Sequence, residues 1–376
     1  MPPLSVLIKP ASGNCNMRCD YCFYCDEIEK REIKSYGFMN EETMKNVIRK
    51  VILHSEGSCT IAFQGGEPTL CGLDFFRKVV YQANVYNRKK KIDIHFALQT
   101  NGFGITEEWC EFFRDNHFLI GLSVDGVREI HDKYRHCTKD MGPTYGRVME
   151  TAKMFDQYGV EYNTLTVVHR DTAERIAQIY ADFKEKGLKW QQYITCLDPL
   201  GEPRGQKAYS LTPEAYGKFL ITLFDLWYED LQKNEQPFIR QFENYVGILA
   251  GYMPESCEQR GTCGAMYVVE ADGSVYPCDF YVLDDYKLGN FNVNTISELD
   301  EKRREIRYIE RSYNHPEKCK NCKYFQLCRG GCFRSRLGVG ETQEGLNYFC
   351  EGYYAFFEAC YDRIREIADT IRAMKR

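Results

Sequence analysis

The sequence predicts an α/β protein whose first part forms a partial (β/α)6 barrel, followed by a cysteine-rich C-terminal region. Strand-like and helix-like segments alternate six times before residue 200. Such alternation is typical of parallel strands joined by right-handed crossovers. A closed barrel needs eight such units, so six units predict an open, partial barrel. From residue 257 onward the pattern changes to short strands, turns and frequent cysteines, which indicates a different architecture.

The predicted strands are apolar runs, and the predicted helices are segments of helical periodicity. The first helix is expected to begin after Asn40, an N-cap residue that is followed by two glutamates in the first turn. The expected strands are 5–10, 59–63, 92–100, 118–124, 161–168 and 189–195. The expected helices are 40–54, 73–87, 106–116, 144–158 and 172–186.

We expect two domains, at residues 1–235 and 236–376. Segment 212–248 has amphipathic helical character, and 351–375 is predicted to be one long helix. Between them, segment 266–280 combines short apolar runs with turn residues. The change in character near residue 235 is the basis for the predicted boundary.

The composition excludes several classes of protein. The net charge of −5 provides no basic surface for nucleic acid. No apolar run approaches the roughly 20 residues that span a bilayer. The N-terminus lacks the charged start and long apolar stretch of a secretory signal. We therefore expect a cytoplasmic protein with neither a nucleic-acid nor a membrane partner.

The 18 cysteines are unevenly distributed. Three lie within residues 15–22 and eight lie between 257 and 350. In a reducing compartment, clustered cysteines bind metal or do redox chemistry more often than they form disulfides. Most of the remaining seven are expected to be small buried hydrophobic residues. These seven are Cys25, Cys59, Cys71, Cys110, Cys137, Cys196 and Cys360.

Cys15, Cys19 and Cys22 are spaced C-x3-C-x2-C just after the first predicted strand. Three thiolates can hold an iron–sulfur cube by three of its four irons. A structural metal site closes with four protein ligands, whereas a catalytic site keeps one position open. Half of a zinc site is the alternative, but no fourth ligand lies nearby in a suitable pattern. Cys25 is close, yet a site that used it would leave Cys15 out.

Four motifs follow four different predicted strands. In α/β folds of this class, the chemistry lies at the carboxyl ends of the strands. The cysteine motif at Cys15–Cys22, the loop Gly65–Pro68 and the segments Gln99–Gly102 and Ser123–Gly126 all occupy such positions. We expect these four motifs to lie close together at one end of the predicted barrel.

The motif C15-N-M-R-C19-D-Y-C22 resembles the signature of the radical S-adenosylmethionine (SAM) enzymes. The resemblance implies that the open iron binds the amino and carboxylate groups of SAM, and that an electron from the cluster releases a 5′-deoxyadenosyl radical. The SAM-binding residues that it implies are Tyr24, Gly65, Gly66, Glu67, Gln99, Ser123 and Arg135.

The roles of these seven residues follow from their chemistry and from the resemblance. Glycines let backbone groups approach a ligand closely, and Glu67 can take the SAM ammonium. Ser123 and Arg135 match positions that hold the carboxylate, for which a guanidinium fork is suited. Gln99 is expected to reach the ribose, and Tyr24 to stack on the adenine. A plain surface or core role is the alternative for each.

Eight further cysteines form the C-terminal block, which suits two cubes with four ligands each. Sites of four thiolates suit zinc too, so a pair of zinc ribbons is the alternative. The rear spacing, C319-x2-C322-x5-C328-x3-C332-x17-C350, resembles the SPASM extension of radical enzymes that act on peptides and proteins. The resemblance implies two auxiliary clusters, hence three [4Fe–4S] clusters in all. One would use Cys257, Cys263, Cys278 and Cys332, and the other Cys319, Cys322, Cys328 and Cys350.

Asp279 directly follows the predicted cluster ligand Cys278. A carboxylate held there can accept a proton from a substrate. An aspartate that only shapes a turn is the alternative. The nearby Asp284 and Asp285 are expected to be solvated.

The predicted cofactors indicate an oxidation. An auxiliary cluster closed by four thiolates has no open iron and is better suited to moving electrons than to binding substrate. Removal of a hydrogen atom, a proton and an electron converts an alcohol or thiol to an aldehyde or thioaldehyde. This interpretation makes Asp279 the catalytic base.

Nearly the whole chain resembles the anaerobic sulfatase-maturating enzymes, in strings such as KPASGNCNMRCDYCFYCDE, AFQGGEPTL, LQTNG, PCDFYVLDDYKLGN and CRGGCFRSR. The resemblance implies oxidation of a serine or cysteine in a C/S-x-P/A-x-R segment to Cα-formylglycine (3-oxoalanine). The implied partners are an unfolded or nascent sulfatase and a low-potential electron donor of the flavodoxin or ferredoxin type. The sequence does not distinguish serine from cysteine as the target.

Two alternatives stay open. One is another SPASM-type peptide-modifying enzyme that forms thioether or carbon–carbon links. The other is a non-enzymatic zinc or electron-transfer protein.

Overall fold

The computed structural model describes residues 3–336 and 345–374. The strands in this part of the chain are β1 (Leu4–Ile8), β2 (Met17–Cys19), β3 (Ser58–Phe63), β4 (Asp93–Thr100), β5 (Phe118–Ser123), β6 (Arg135–Cys137), β7 (Tyr162–Val168), β8 (Trp190–Thr195), β9 (Phe238–Ile239), β10 (Tyr267–Val269), β11 (Ser274–Tyr276) and β12 (Gly289–Asn290).

The α-helices in the same residues are α1 (Phe23–Glu29), α2 (Glu41–His54), α3 (Leu73–Lys90), α4 (Glu107–Asp115), α5 (Arg128–Tyr134), α6 (Tyr145–Tyr158), α7 (Arg170–Glu174), α8 (Ile176–Glu185), α9 (Pro213–Leu231), α10 (Arg240–Leu249), α11 (Cys257–Arg260), α12 (Ile296–Glu305), α13 (Tyr308–Arg311), α14 (Glu317–Lys320), α15 (Phe325–Cys328) and α16 (Cys350–Met374). Short 3₁₀ helices lie at Pro68–Cys71, Asp279–Tyr281, Asp284–Tyr286 and Phe333–Ser335.

The chain divides into two compact units that alternate along the sequence. The first unit comprises Met1–Val124, His131–Asn163 and Ala265–Arg307. The second comprises Asp125–Ile130, Thr164–Gly264 and Tyr308–Arg376. Because both units are built from separate stretches of chain, they do not test the predicted boundary near residue 235, which stays a prediction.

The first unit contains a sheet in the order β12-β11-β10-β1-β3-β4-β5. The pairs from β10 to β5 are parallel, while β10, β11 and β12 pair in antiparallel fashion. The register aligns Ile8 with Phe63, Phe63 with Leu98 and Leu98 with Ile120. Four strands therefore end along the same edge of the sheet, as the sequence predicted, and the loops that follow them meet there.

Helix α2 begins where the sequence predicts. The Oδ1 atom of Asn40 accepts a hydrogen bond of 2.8 Å from the Thr43 backbone N–H, which satisfies one of the unpaired donors at the start of α2. Val47, Ile48 and Val51 of α2 are fully buried. The apolar face of this helix therefore stabilises the sheet.

The second unit contains the parallel strands β7, β8 and β9 and a large aromatic core. The Phe224 ring lies 5.1 Å from Phe242 and 5.9 Å from Phe356, measured between centroids. Helices α9 and α16 approach each other at Gly217 and Gly352. A Cβ atom on Gly352 would lie 2.4 Å from the Pro213 carbonyl oxygen, so only glycine permits this contact. The close packing fixes the start of α16, where Cys350 lies.

The predicted α/β class with mostly parallel strands is confirmed. All six predicted strands and five predicted helices are present, although the predicted helix 172–186 is divided at Arg175 into α7 and α8. Segment 212–248 contains two helices with β9 between them. The predicted helix 351–375 corresponds to α16, and its last residue lies outside the described residues. Across the described ranges, every helix is too short or too polar to cross a bilayer.

Candidate functional site

The cysteine motif lies beyond the end of β1. Cys19 belongs to β2, which pairs with β6 so that Cys19 lies opposite Arg135. Cys22 occupies the position just before α1, and its backbone N–H donates to the Cys19 carbonyl at 3.2 Å. The short strand pair and the turn bring the three cysteines together at one end of the sheet.

Hydrogen-bond donors point at the sulfurs of Cys15 and Cys19. The Met17 backbone N–H and the Asn101 side-chain amide lie 3.4 Å and 3.7 Å from Cys15 Sγ. Arg135 Nη1 lies 3.8 Å from Cys19 Sγ. Donors of this kind stabilise thiolate ligands and tune the potential of a cluster that they hold. The environment therefore fits an iron–sulfur cluster.

The pKa values of the thiols differ from one another. Burial, reinforced by the Glu67 carboxylate, raises the pKa of Cys15 to about 12, so this thiol is protonated until a metal displaces its proton. A hydrogen bond with Cys25 lowers the pKa of Cys22 to about 6. The same hydrogen bond raises the pKa of Cys25, whose side chain is exposed. Cys25 therefore acts as a neutral donor to Cys22.

In the described ranges, no three Cys, His, Asp or Glu side chains are arranged to hold a single metal ion. A cube differs from a single ion because each of its irons binds its own cysteine. Its ligands are accordingly more widely spaced than those of one zinc ion.

Glu67 is buried and ties the end of β3 to the end of β4. Its Oε1 atom accepts hydrogen bonds from the Thr69 backbone (3.1 Å), the Thr69 hydroxyl (2.7 Å) and the Thr100 hydroxyl (2.9 Å). Its Oε2 atom accepts from the Asn101 backbone N–H at 2.8 Å. Burial raises the pKa of Glu67. This carboxylate positions Asn101, the donor to Cys15, and its contact with the SAM ammonium stays a prediction.

Gly65 and Gly66 have positive φ values of 95° and 54°, which non-glycine residues rarely adopt. A Cβ atom on Gly66 would lie 2.2 Å from the Asn14 carbonyl oxygen. The Glu67 backbone N–H donates to that same oxygen at 2.8 Å. The two glycines therefore let the turn after β3 pack directly against the loop that leads into Cys15.

Three other predicted SAM-binding residues lie near the same edge of the sheet. Arg135 is buried, and its guanidinium carbon lies 5.5 Å above the Tyr21 ring. Ser123 ends β5 and is buried, and Gln99 is half-buried at the end of β4. Their placement suits the predicted roles, which stay predictions.

Asp279 begins a 3₁₀ helix and is held by two side chains from the sheet edge. Lys9 forms an ion pair with its Oδ1 atom, and the Gln64 amide donates to Oδ2 at 2.7 Å. Lys9 and Gln64 directly follow β1 and β3. Neither residue was predicted from the sequence, although a polar residue directly after a parallel strand is the signal that marks them. Asp284 and Asp285 are exposed, as expected.

Tyr24 lies in a buried cluster with Val268, Tyr276 and Val282. Its hydroxyl donates to the Glu270 carboxylate, and burial raises its pKa. Lys9 Nζ lies 3.9 Å from the centre of the ring. Tyr24 and Asp279 therefore share Lys9 as a neighbour. Stacking of Tyr24 on adenine stays a prediction.

In the second unit, Cys319, Cys322, Cys328 and Cys350 lie together. Burial, together with the charges of the other three thiols, raises the pKa of Cys328 to about 12. The assignment of these four cysteines to one auxiliary cluster stays a prediction.

Cys257, Cys263 and Cys332 belong to the other predicted set and also lie in the second unit. Burial raises the pKa of Cys332, and the Cys257 and Cys263 charges act in the same direction. Cys278, the fourth predicted member, lies in the first unit, so this ligand set stays a prediction.

Of the scattered cysteines, four are buried as expected: Cys59, Cys110, Cys196 and Cys360. Cys71 and Cys137 are half-buried.

Two family models match the chain. The radical SAM superfamily matches residues 10–183, and the iron-sulfur cluster-binding domain called SPASM matches residues 260–323. The chain is 44% identical to the cysteine-type anaerobic sulfatase-maturating enzyme of Clostridium novyi (strain NT), over 99% of each chain. It is 33% identical to the serine-type anaerobic sulfatase-maturating enzyme of Bacteroides thetaiotaomicron, over 95% of this chain and 89% of the relative.

The structure is also similar to the solved structure of native anSMEcpe with bound AdoMet and Cp18Cys peptide. The TM-score is 0.93 and the sequence identity is 44%. The match covers 98% of this chain and 100% of the other.

Proposed function

This chain belongs to the anaerobic sulfatase-maturating enzymes, which are radical SAM enzymes with a SPASM domain, and we propose that it oxidises a cysteine residue of a sulfatase to Cα-formylglycine (3-oxoalanine). The identity of 44% to a cysteine-type relative, against 33% to a serine-type one, supports cysteine as the target. Membership of this enzyme family leaves no support for the non-enzymatic alternative.

The radical SAM and SPASM domains imply iron–sulfur clusters and bound SAM. We place the first cluster at Cys15, Cys19 and Cys22, and the two auxiliary clusters at the eight C-terminal cysteines. When bound, the first cluster and SAM supply a 5′-deoxyadenosyl radical that removes a hydrogen atom from the substrate, and the auxiliary clusters supply an acceptor for the departing electron. The Asn101 and Arg135 donors beside the sulfurs support the first assignment.

The observation that carries the proposed chemistry is the position of Asp279. Its carboxylate is held by Lys9 and Gln64, two residues that the ends of parallel strands fix in place. The Lys9 ammonium supplies a countercharge, and the Gln64 amide sets the orientation of the carboxylate. Asp279 is accordingly the proposed base that takes the proton from the substrate thiol.

The proposed reaction balances in two stages. The cysteine side chain first loses a hydrogen atom from its β-carbon, a proton from sulfur and one electron, which leaves a thioaldehyde. Water then replaces the sulfur, releasing hydrogen sulfide and leaving the aldehyde. The proton goes to Asp279.

The SAM-binding residues of the proposal lie at the sheet edge or in the buried cluster beside it: Tyr24, Gly65, Gly66, Glu67, Gln99, Ser123 and Arg135. Gly65 and Gly66 have the backbone geometry that permits a close approach by a ligand. The proposed partners are an unfolded or nascent sulfatase with a C-x-P-x-R segment and a low-potential donor of the flavodoxin or ferredoxin type. The peptide bound in the similar solved structure supports a peptide substrate.

A peptide assay under strict exclusion of oxygen tests the proposal. A C-x-P-x-R peptide incubated with enzyme, SAM and reductant is expected to exchange one sulfur and two hydrogens for one oxygen, as mass spectrometry detects. The product should react with a hydrazine reagent. A crosslinking enzyme would instead give a product that keeps its sulfur and resists hydrazine, and this outcome would refute the proposal.

Matched variants test which cysteines hold the first cluster. Cys19→Ala is expected to abolish the formation of 5′-deoxyadenosine, since it removes a ligand. Cys25→Ala, which alters a neighbouring thiol outside the proposed ligand set, should retain most of it.

A further inference from the structure

Arg336 is a buried arginine in the second unit whose side chain is bound by backbone carbonyls. Its Nη1 atom donates to the Ser312 oxygen at 2.8 Å, and its Nε atom donates to the Gly330 oxygen at 3.1 Å. Its Nη2 atom donates to the oxygens of Gly261 (2.5 Å) and Gly331 (2.8 Å). The whole residue is only 2% exposed, so its charge is out of contact with bulk water.

The acceptor carbonyls belong to the segments that carry the C-terminal cysteines. The Gly330–Gly331 turn separates Cys328 from Cys332, which belong to different predicted clusters. Gly261 precedes Cys263 by two residues. The Arg336 guanidinium therefore forms hydrogen bonds with the backbone next to cysteines of both predicted sets.

No carboxylate within residues 3–336 and 345–374 forms an ion pair with Arg336. Buried charges in proteins are normally paired or bound to metals, because desolvation of an isolated ion is costly. Burial lowers the pKa of Arg336, while negative charge at four cysteines acts in the opposite direction. These cysteines are Cys332, Cys263, Cys319 and Cys328. Among the described residues, the negative charge that acts on this guanidinium therefore comes from cysteines of both predicted sets.

We propose that Arg336 is a positioning residue that supplies a shared countercharge to both auxiliary clusters and raises their reduction potentials. This inference rests on the iron–sulfur assignment of the proposed function. A cube closed by four thiolates carries a net negative charge, which grows when the cube is reduced. A fixed cation nearby stabilises the reduced form and makes the cluster a better electron acceptor.

Arginine suits this role because its guanidinium stays protonated in proteins. The neighbouring His315 does not contribute charge at neutral pH. Burial and the Arg336 charge lower the pKa of His315 to about 4. His315 therefore does not duplicate the charge of Arg336, while Arg240 and Lys318 act on individual cysteines of the two sets.

A purely structural role is the competing explanation, since four carbonyls bind the same side chain. The two explanations differ in whether a lysine at position 336 can replace the arginine. Arg336→Lys keeps the charge but loses most of the carbonyl contacts. Arg336→Gln loses the charge and keeps some hydrogen bonding.

The test is a redox titration that is monitored by electron paramagnetic resonance. It uses the full chain with its clusters reconstituted. In a background of Cys15→Ala, Cys19→Ala and Cys22→Ala, only the auxiliary clusters titrate. Arg336→Gln is expected to shift both midpoint potentials to more negative values, and Arg336→Lys to leave them near those of the parent. Arg303→Gln serves as the control, because Arg303 is a buried arginine that pairs with Asp300.

Unchanged midpoint potentials in an Arg336→Gln protein with full iron content would overturn the inference. If Arg336→Gln fails to retain its clusters, the iron content of Arg336→Lys distinguishes a role for the charge from a role for the carbonyl contacts. Restored iron supports a role for the charge, whereas equal loss shows that the carbonyl contacts alone matter and overturns the inference. A parent protein that binds no iron in this background would refute the iron–sulfur assignment itself.

Discussion

Lys9 and Asp279 form an ion pair that links the end of the first strand of the sheet to the residue after a predicted cluster ligand. The Lys9 side chain is fully buried and that of Asp279 is 14% exposed. The parallel register of β1 and β3 fixes both Lys9 and the second partner, Gln64. The position of the proposed base is therefore set by the sheet rather than by a flexible loop.

Removal of Lys9 tests how strongly this pair stabilises the fold. Lys9→Met is expected to lower the free energy of unfolding by about 3 kcal/mol, because it leaves a largely buried carboxylate without its countercharge. Denaturant titration under anaerobic conditions measures the change. The double variant Lys9→Met/Asp279→Leu should recover part of the loss. A single variant as stable as the parent would show that the pair contributes nothing to stability.

Asp279→Asn tests the proposed base. The substitution keeps the shape of the side chain but removes the proton acceptor. We expect formation of 5′-deoxyadenosine to continue while the aldehyde yield falls by roughly 100-fold or more, as loss of general-base catalysis predicts. The exposed Asp285→Asn is the control and should behave like the parent. Undiminished aldehyde in Asp279→Asn would remove this residue from the mechanism.

Gly66→Ala tests the close approach between the turn after β3 and the loop before Cys15. Both the positive φ and the 2.2 Å distance to the Asn14 oxygen oppose a side chain. We expect a loss of about 3 kcal/mol in unfolding free energy and a loss of iron from the first cluster. Gly57 also has a positive φ but has no atom within 4 Å of its Cβ position. Gly57→Ala should therefore cost only about 1 kcal/mol, and equal effects of the two variants would contradict the steric argument.

The lowered pKa of His315 predicts a pH dependence of stability. Between its ordinary pKa of 6.5 and about 4, the unfolded chain binds a proton that the folded chain does not. The free energy of unfolding should therefore fall as the pH drops through this window. Unfolding measurements at pH 7 and pH 5 should show a smaller difference in His315→Gln than in the parent. The exposed His95→Gln is the control, and equal slopes in His315→Gln and the parent would contradict the prediction.

The regular elements were predictable because long parallel strands and amphipathic helices leave strong local patterns. The pair formed by β2 and β6 was not predicted, since three-residue strands carry no periodicity. The division of helix 172–186 at Arg175 was also missed. Polar residues in that stretch conceal where one helix ends and the next begins.

At the site, motif spacing indicated the cysteines, but the partners of Asp279 depend on contacts between distant parts of the chain. Lys9 and Gln64 were missed because nothing local connects them to residue 279. Glu67 was predicted to bind a ligand, yet the structure shows four hydrogen bonds from the protein itself. A sequence motif identifies such a residue without indicating which partners it has.

The most direct test of the account is an isotope-transfer experiment with the cysteine peptide. The β-carbon of the target cysteine carries deuterium, and the reaction is run without oxygen in the presence of SAM and reductant. We expect deuterium in 5′-deoxyadenosine together with a peptide aldehyde that keeps one deuterium. Aldehyde formed without any deuterium in 5′-deoxyadenosine would contradict it.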